Sequence, residues 1–293
     1  MFRATIFIAL AALLLADPAA ARERRNLTVL QESARSVEGG RAVHVSVAQP
    51  ELDAAINPSN AGLYMGGGLL GAMIDSSVQA NRSGRAEVGI TPIRATLFDV
   101  DVDAMAIDTA NTALASMQWF GAQPATFGRD NSPYARNAAL DSAATPQVAF
   151  LDYGYEMSPD FASLRVIAAI TLANKVDASV RRPEQRLQPR YLAYSHAVTS
   201  VVQLPNATTP EENSVRWAAN DGALIRRGLS TAFTDISALI PRALEFTAAD
   251  AEAAAAAPRA TDRAFTGARV IEQNETSTMM FSGGLIHVQT LSQ

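Results

Sequence analysis

Two apolar runs joined by a short turn decide the fold: QVAFLDYGYEM at residues 147–157, Ser158-Pro159-Asp160, and LRVIAAITL at 164–172. Both runs are typical of strands. The turn between them has a physical basis, because Pro presets the backbone for a turn and the Asp side chain can close it. A third strand-like run covers 191–204, after a polar, arginine-rich loop at 181–190. Together the three runs predict an antiparallel meander.

Two amphipathic helices are predicted on either side of this meander. Residues 105–119 place apolar side chains at spacings of three and four, with Asp103 as the expected N-cap. Thr209-Pro210-Glu211-Glu212 is the clearest helix start in the chain, since Thr suits the N-cap and Pro the first helical position. This long C-terminal helix is expected to end or kink at Pro241, which lacks a backbone donor. Its apolar stripe consists of Ile225, Leu229, Phe233, Ile236 and Ile240.

Strand-like segments also stand near both ends of the chain, at 42–47 and in three short stretches between 268 and 289. This order predicts an α+β fold with an antiparallel sheet, a glycine-rich buried helix, a long C-terminal amphipathic helix and a final short β-hairpin region. The expected organisation is a signal peptide at 1–21, a flexible lead-in at 22–40, a single α+β domain at 41–248, an Ala/Pro-rich spacer at 249–264 and a small C-terminal β segment at 265–293.

The first residues have the pattern of a secretory signal peptide. Arg3 supplies a short positive start, residues 4–16 are apolar, and Ala19-Ala20-Ala21 places small residues before a charged stretch. The apolar run of 13 residues is too short for a membrane-spanning helix, which needs about 20. The sequence therefore predicts a periplasmic protein that is cleaved near Ala21 and has no transmembrane helix in its mature chain.

Composition excludes several classes of protein. The 293 residues are 48% hydrophobic and 18% charged, which does not fit a disordered, highly charged chain. Cysteine is absent, so disulfide scaffolds, zinc fingers, iron–sulfur proteins and cysteine nucleophiles are excluded. A net charge of −5 argues against a nucleic-acid partner, because nucleic acids are bound largely by neutralising their phosphates.

The common catalytic motifs are missing as well. Lys175, the single lysine, follows no glycine-framed phosphate loop, and Leu172 stands where a Ser-x-x-Lys nucleophile would need its serine. There is no Gly-x-Ser-x-Gly elbow. The three histidines, His44, His196 and His287, lie in predicted strands without a His or Glu partner at metal-ligand spacing. No cofactor is expected, and structural roles are favoured over catalytic ones for these histidines.

Asp99-Val100-Asp101-Val102-Asp103 is the most suggestive acidic cluster. In an extended segment the period of two places all three carboxylates on one face, where they could hold a hard cation such as calcium. However, Ala104 and Ala110 stand where a calcium loop needs its turn glycine and its bidentate glutamate. Asp99, Asp101 and Asp103 are thus metal-site candidates, and the alternative is a solvated edge whose last Asp caps the next helix.

Glycines at four-residue spacing, Gly62 with Gly66 and Gly67 with Gly71, lie inside an apolar stretch at 61–74. Such spacing lines one helix face and lets another backbone approach closely. The preferred interpretation is a buried core helix, because fourteen apolar residues are too few to span a bilayer. A membrane or partner contact and a glycine loop near a ligand are the alternatives. Gly62, Gly66, Gly67 and Gly71 are therefore candidates for close packing or interaction.

Two motifs resemble known sequences. Asn57-Pro58-Ser59-Asn60 followed by GGGLLGAMID at 66–75, and YEMSPDF at 155–161, are similar to segments of secreted proteobacterial proteins of unassigned activity. The likeness covers about residues 42–170. It implies a periplasmic location and an envelope-related role, and it brings no catalytic residues with it.

These observations support three hypotheses of function. The leading one is an exported, non-enzymatic periplasmic protein that serves as an envelope-associated binding, assembly or transport-accessory component, with an envelope protein or a small ligand as its partner. The second is a glycine-zipper protein in peripheral contact with a membrane. The third is an exported hydrolase that depends on the carboxylates of Asp99, Asp101 and Asp103.

The signal peptide can be tested directly. We expect the exported protein to begin near Arg22, because small residues occupy the −1 and −3 positions of a cleavage site after Ala21. Mass spectrometry of the protein recovered from the exported pool measures this start. An intact Met1 in that pool would contradict the assignment.

Overall fold

The computed structural model describes residues 28–35, 37–47, 49–55, 76–175 and 192–291. Its helices are α1 (Glu32–Arg35), α2 (Ser76–Ala95), α3 (Val102–Ala115), α4 (Pro133–Ser142), α5 (Pro210–Leu244) and α6 (Ala248–Ala256). Its strands are β1 (Arg41–Val47), β2 (Asp53–Ala54), β3 (Thr126–Gly128), β4 (Gln147–Met157), β5 (Ser163–Asn174), β6 (Leu192–Gln203), β7 (Arg269–Gln273), β8 (Ser277–Phe281) and β9 (Leu285–Thr290). The predicted glycine-rich helix at 61–74 lies outside the described residues.

All of these strands belong to one nine-stranded sheet in the order β3-β1-β4-β5-β6-β9-β8-β7, with β2 beside the end of β4. The predicted meander is present, because β4, β5 and β6 pair antiparallel in sequence order. The C-terminal strands β7, β8 and β9 also pair antiparallel, and β9 joins them to β6 in the same sheet. Residues expected to form a small C-terminal β segment therefore extend the main sheet.

The prediction of an α+β fold is confirmed, but the prediction of a purely antiparallel sheet is wrong. β1 pairs parallel with both β3 and β4, and β6 pairs parallel with β9. The reason lies in the connections. Helices α2, α3 and α4 separate β1 from β4, and α5 and α6 lie between β6 and β9. Long crossovers of this kind return the chain to the same end of the sheet, so the strands that they join run parallel.

The core lies against one face of the sheet, which we call the helical face because α3 and α5 pack on it. Alternate residues of β4, β5 and β6 point toward this face and are fully buried, with Leu151, Val166 and Val198 as examples. They meet the apolar stripe of α5, whose five residues, from Ile225 to Ile240, have almost no exposed surface. Each fully buried aliphatic side chain contributes about 1.5–3 kcal/mol. The opposite surface of the sheet is called the outer face.

Helix α5 begins as predicted, but a break that was not predicted interrupts it. Thr209 is its N-cap, with the Glu212 N–H donating to Thr209 Oγ1 at 3.3 Å. Asn220, with φ of 54°, and Gly222, with φ of 69°, adopt left-handed conformations that split the helix. A Cβ atom at Gly222 would lie 2.2 Å from the Thr96 hydroxyl, so the helix break permits a close approach to the loop between α2 and α3.

Pro241 does not end α5, so that part of the prediction is wrong. The helix continues to Leu244, and the carbonyl of Pro241 accepts a hydrogen bond from the Glu245 N–H at 2.9 Å. Proline lacks only the donor, and its carbonyl still accepts the bond that closes the last turn. The helix therefore ends one turn later than the sequence indicated.

The caps of the shorter helices also differ from expectation. Asp101 caps α3 by accepting a hydrogen bond from the Ala104 N–H at 2.9 Å, whereas Asp103, the predicted cap, lies in the first turn. Helix α4 lies within residues 121–146, where Gly, Pro, Asn and Ser occur at the density of a loop. It begins with Ser132 as N-cap and Pro133 at the first helical position, the same signal that starts α5.

Two buried tyrosines on the helical face provide a matched test of the core. The Tyr153 hydroxyl has no hydrogen-bond partner among the described residues, whereas the Tyr194 hydroxyl donates to the Ala243 carbonyl at 2.6 Å. We expect Tyr153→Phe to leave the free energy of unfolding unchanged or raise it by up to about 1 kcal/mol, because it removes an unsatisfied polar atom. Tyr194→Phe should lower it by about 1 kcal/mol, because it removes a buried hydrogen bond. Denaturant titration measures both, and equal destabilisation would contradict this account.

Candidate functional site

The outer face of the three central strands carries a patch of small side chains. Gly154 of β4 lies opposite Ile167 of β5, which lies opposite Thr199 of β6. In the neighbouring row Ala169 lies opposite Ala197. All five residues are partly exposed, whereas their neighbours along each strand point to the helical face and are buried. We call these five residues the platform.

Other parts of the chain cover the outer face on both sides of the platform. On one side Leu140 of α4 packs with Val148 and Phe150 of β4. On the other side Phe265, in the segment that precedes β7, packs with Met280 of β8. The platform is therefore the interval between two covered regions, and it lies on central strands rather than at a sheet edge.

Ion pairs border the platform at two places: at Asp152, which lies opposite Ala169 in the same row, and in the next row, which contains Glu156 and Arg165. Arg165 Nη1 lies 2.9 Å from Glu156 Oε1, and Arg136 pairs with Asp152. Burial raises the pKa of the Glu156 carboxyl, and the charge of Arg165 opposes that rise. Because each carboxylate has its own guanidinium, the charges at these borders are balanced.

The composition of the platform is unusual for a solvated sheet face. Antiparallel strands with one face in water normally alternate apolar residues on the inside with polar residues on the outside. Here the outward positions hold glycine, alanine and isoleucine, with Thr199 as the single hydroxyl. A flat, weakly polar surface between balanced charges suits contact with another protein surface more than it suits chemistry.

A polar cluster on the helical face is centred on Asp235 of α5. Its Oδ2 atom accepts hydrogen bonds from Ser200 Oγ at 2.7 Å and from Gln289, and it lies 3.1 Å from His287 Nδ1. Ser200 and His287 are directly opposite each other on β6 and β9. These contacts join the long helix to two strands on the helical face.

The residue types of this cluster are those of a serine hydrolase, but the geometry is different. A nucleophilic serine needs its hydroxyl hydrogen-bonded to the histidine that removes its proton. Here Ser200 donates to Asp235 instead, and its side chain has no exposed surface. The arrangement anchors α5 to the sheet and does not activate the serine.

The three aspartates singled out in the sequence are held by separate partners. Asp99 Oδ1 lies 2.6 Å from Arg226 Nη2, and Asp103 Oδ2 lies 2.5 Å from Arg129 Nη2. The hydrogen bond from Arg226 lowers the pKa of the Asp99 carboxyl. Asp101 is used as the cap of α3. Within the described part of the chain, no group of three or more His, Asp or Glu side chains is placed to hold a metal ion.

The histidines do not converge either. His44 lies on the outer face of β1, where its Nδ1 is 3.1 Å from the Thr126 hydroxyl. His287 belongs to the Asp235 cluster on the helical face. His196 is 2% exposed on the helical face, stacked on Tyr194 with ring centroids 5.8 Å apart. Each histidine thus has its own structural environment.

The candidate glycines Gly62, Gly66, Gly67 and Gly71 lie outside the described residues. Among the residues that are described, no helix is both long enough and apolar enough to cross a membrane.

Comparison of the chain with protein-family models, with curated proteins and with solved structures gives no match.

Sequence reasoning missed both the platform and the Asp235 cluster, for different reasons. The platform has a readable signal, since the outward positions of a period-two pattern are occupied by Gly154, Ala169 and Ala197 where polar residues are expected. The Asp235 cluster has none, because its members come from β6, α5 and β9 and meet only after the sheet has formed.

Burial of His196 makes the stability of the fold depend on pH. Its Nδ1 is 3.1 Å from the Thr28 carbonyl, its Nε2 has no hydrogen-bond partner among the described residues, and burial lowers its pKa from 6.5 to about 4. Between these values the unfolded chain binds a proton that the folded chain does not, so stability falls as the pH falls. We expect His196 to account for a loss of about 3 kcal/mol between pH 6.5 and pH 4.

Denaturant titration of the wild type and of His196→Phe across this pH range measures the effect. The variant keeps an aromatic ring in the cluster and should show a much flatter pH dependence. Burial also lowers the pKa of His44, so His44→Phe is the matched control and should remove a smaller part of the slope. An unchanged slope in His196→Phe would show that other groups dominate.

Proposed function

We propose that the protein is an exported, non-enzymatic component of the bacterial periplasm that binds an envelope protein through the platform. The observation that carries this proposal is the platform itself, an area on central strands that the described residues leave partly exposed. There Gly154, Ile167, Ala169, Ala197 and Thr199 replace the polar side chains expected in water. The role is binding or assembly, and the predicted signal peptide at 1–21 supports the location.

Shape and charge favour a protein partner over a small ligand at this surface. The five side chains of the platform lie in two adjacent rows of neighbouring strands, so they form a flat area rather than a pocket. Ligand sites for small molecules are concave. The paired charges of Arg165 with Glu156 and of Arg136 with Asp152 stand at the rim, where polar groups surround the apolar centre of protein interfaces.

The polar clusters are consistent with a role that does not involve chemistry. Asp99 and Asp103 form ion pairs with arginines, Asp101 caps a helix, and the Ser200 hydroxyl donates to Asp235. Each of these candidates for catalysis has a structural partner in the fold.

A charged side chain on the platform should prevent the association. We expect the wild type, expressed with its own leader and released by osmotic shock, to sediment as a complex heavier than its single mature chain. Ala169→Arg and Ala197→Arg should sediment as free chains, because an arginine buried without a partner in an interface is strongly unfavourable. Ala115→Arg, at an exposed position of α3, is the matched control and should sediment like the wild type.

Thermal unfolding of the purified variants shows whether they remain folded, and the purified wild type should be monomeric, which separates a partner from self-association. A wild type that sediments as a free chain, or Arg variants that remain in the complex, would overturn the proposal. If release of the wild type requires detergent rather than osmotic shock, the membrane-associated hypothesis replaces it.

A further inference from the structure

Two arginines face each other in the short hairpin that precedes the C-terminal strands. The Ala260 N–H donates to the Ala268 carbonyl at 2.9 Å, and the Val270 N–H donates to the Pro258 carbonyl at 2.8 Å. Arg259 and Arg269 lie directly opposite each other between these two bonds. In such a non-hydrogen-bonded antiparallel pair the two side chains point to the same side and are close together.

The other side of this hairpin is fixed to the sheet. Ala268 is buried in a cluster with Phe265, Met280 and Val288, and Ala260 and Val270 pack against the same cluster. Because side chains alternate along paired segments, this packing directs the two arginines away from the sheet. Their position is therefore set by the apolar anchor behind them.

Within the described residues, no ion pair holds either of the two arginines. Among the described residues neither Arg259 nor Arg269 forms an ion pair, and the hydrogen bond found for Arg269 runs from Nη1 to the Ala257 carbonyl at 2.9 Å. Asp262 lies nearby, but its Oδ1 accepts a hydrogen bond from the Ala264 N–H at 2.8 Å. Like charges directly opposite each other on paired strands are destabilising. An anion bound between the two guanidinium groups would relieve this repulsion.

A cavity of about 400 Å³ opens at this pair. It is lined by Arg259, Ala260, Thr261, Asp262, Thr266, Gly267 and Arg269. Gly267 has φ of 90°, and a Cβ atom built on it would meet nothing within 4 Å, so the space above its backbone is open. The lining charges comprise two guanidinium groups and one carboxylate.

We propose that this cavity binds a phosphate oxyanion between Arg259 and Arg269. Guanidinium groups present planar pairs of donors that match phosphate oxygens, and two of them can neutralise a dianion. The Thr261 hydroxyl at the wall of the cavity supplies a further donor. The same chemistry is offered by inorganic phosphate and by the phosphate of an anionic phospholipid headgroup. The site lies on the hairpin at 258–270 and does not depend on the function proposed for the platform.

Two binding measurements on the full chain distinguish the sources. Calorimetric titration with inorganic phosphate tests the free anion, and co-sedimentation with phosphatidylglycerol vesicles, compared with phosphatidylcholine vesicles, tests the headgroup. Arg259→Gln and Arg269→Gln should each weaken binding at least about tenfold, since each removes charge-assisted hydrogen bonds. Arg129→Gln, which makes the same change of charge on the exposed ion pair with Asp103, is the control and should bind like the wild type.

A stability measurement distinguishes a loss of binding from misfolding of the variants. In phosphate-free buffer, Arg259→Glu should melt at or above the wild-type temperature, because it converts a like-charge pair into an ion pair. Added phosphate should raise the melting temperature of the wild type and leave that of the variant unchanged. Saturable binding of phosphate, or of anionic vesicles only, with this variant pattern supports the site and identifies its source. No binding of either probe, or equal weakening in Arg129→Gln, overturns it.

Discussion

Burial of the helical face of the sheet, beneath α3 at β1 and beneath α5 at β5 and β6, is the constraint on which the rest of the structure depends. Because side chains alternate along a strand, a shift of one residue in register would move the entire apolar set to the outer face. The pairing of β4 with β5 extends over the whole length of β4, from Gln147 to Met157. This long register fixes which residues face the helices and which remain outside. The core also contains two polar atoms without a hydrogen-bond partner among the described residues, Tyr153 Oη and His196 Nε2. The burial of the surrounding apolar side chains outweighs their cost in stability.

Polar residues in this fold serve mainly to attach helices to the sheet. Asp235 connects α5 to β6 and β9, and Arg136 connects α4 to Asp152 on β4. On the outer face Asp152 also accepts a hydrogen bond from Ser46 at 2.6 Å. Serine, histidine and aspartate are thus brought together without the donor order that nucleophilic catalysis requires. Residue types alone indicate an active site in such a case, and only the direction of the hydrogen bonds distinguishes an anchor from a catalytic group.

The two faces of the sheet have different roles as a consequence. The helical face is closed by the core, so surfaces for partners must lie on the outer face or at the periphery. There, α4 and the hairpin at 258–270 cover separate regions and leave the platform between them. The same hairpin that covers β8 holds Arg259 and Arg269 outward, so one element both protects the sheet and presents two positive charges. The neutral platform and the basic cavity therefore both result from the way in which α4 and this hairpin cover only parts of the outer face.

The sequence by itself determined the local structure: the three strands of the meander, the start of α5 at Thr209-Pro210 and the strands at the C-terminus. Those features depend on period-two patterns, turn residues and caps, which act over a few positions. The Ser132-Pro133 start of α4 carried the same kind of signal and could have been recognised.

The tertiary structure alone decided that β1 lies parallel to β4 and β9 parallel to β6, because strand partners far apart in the chain are selected by how the helices pack. Asn220-Asp221-Gly222 carries a local signal for the break in α5, since these residue types adopt left-handed conformations most readily, but the tertiary structure decided that the break lies against Thr96. The platform, the Asp235 cluster and the arginine pair arise in the same way, because each consists of neighbours across strands or between helix and sheet. Such neighbours are set by burial of the shared core and not by the residues themselves.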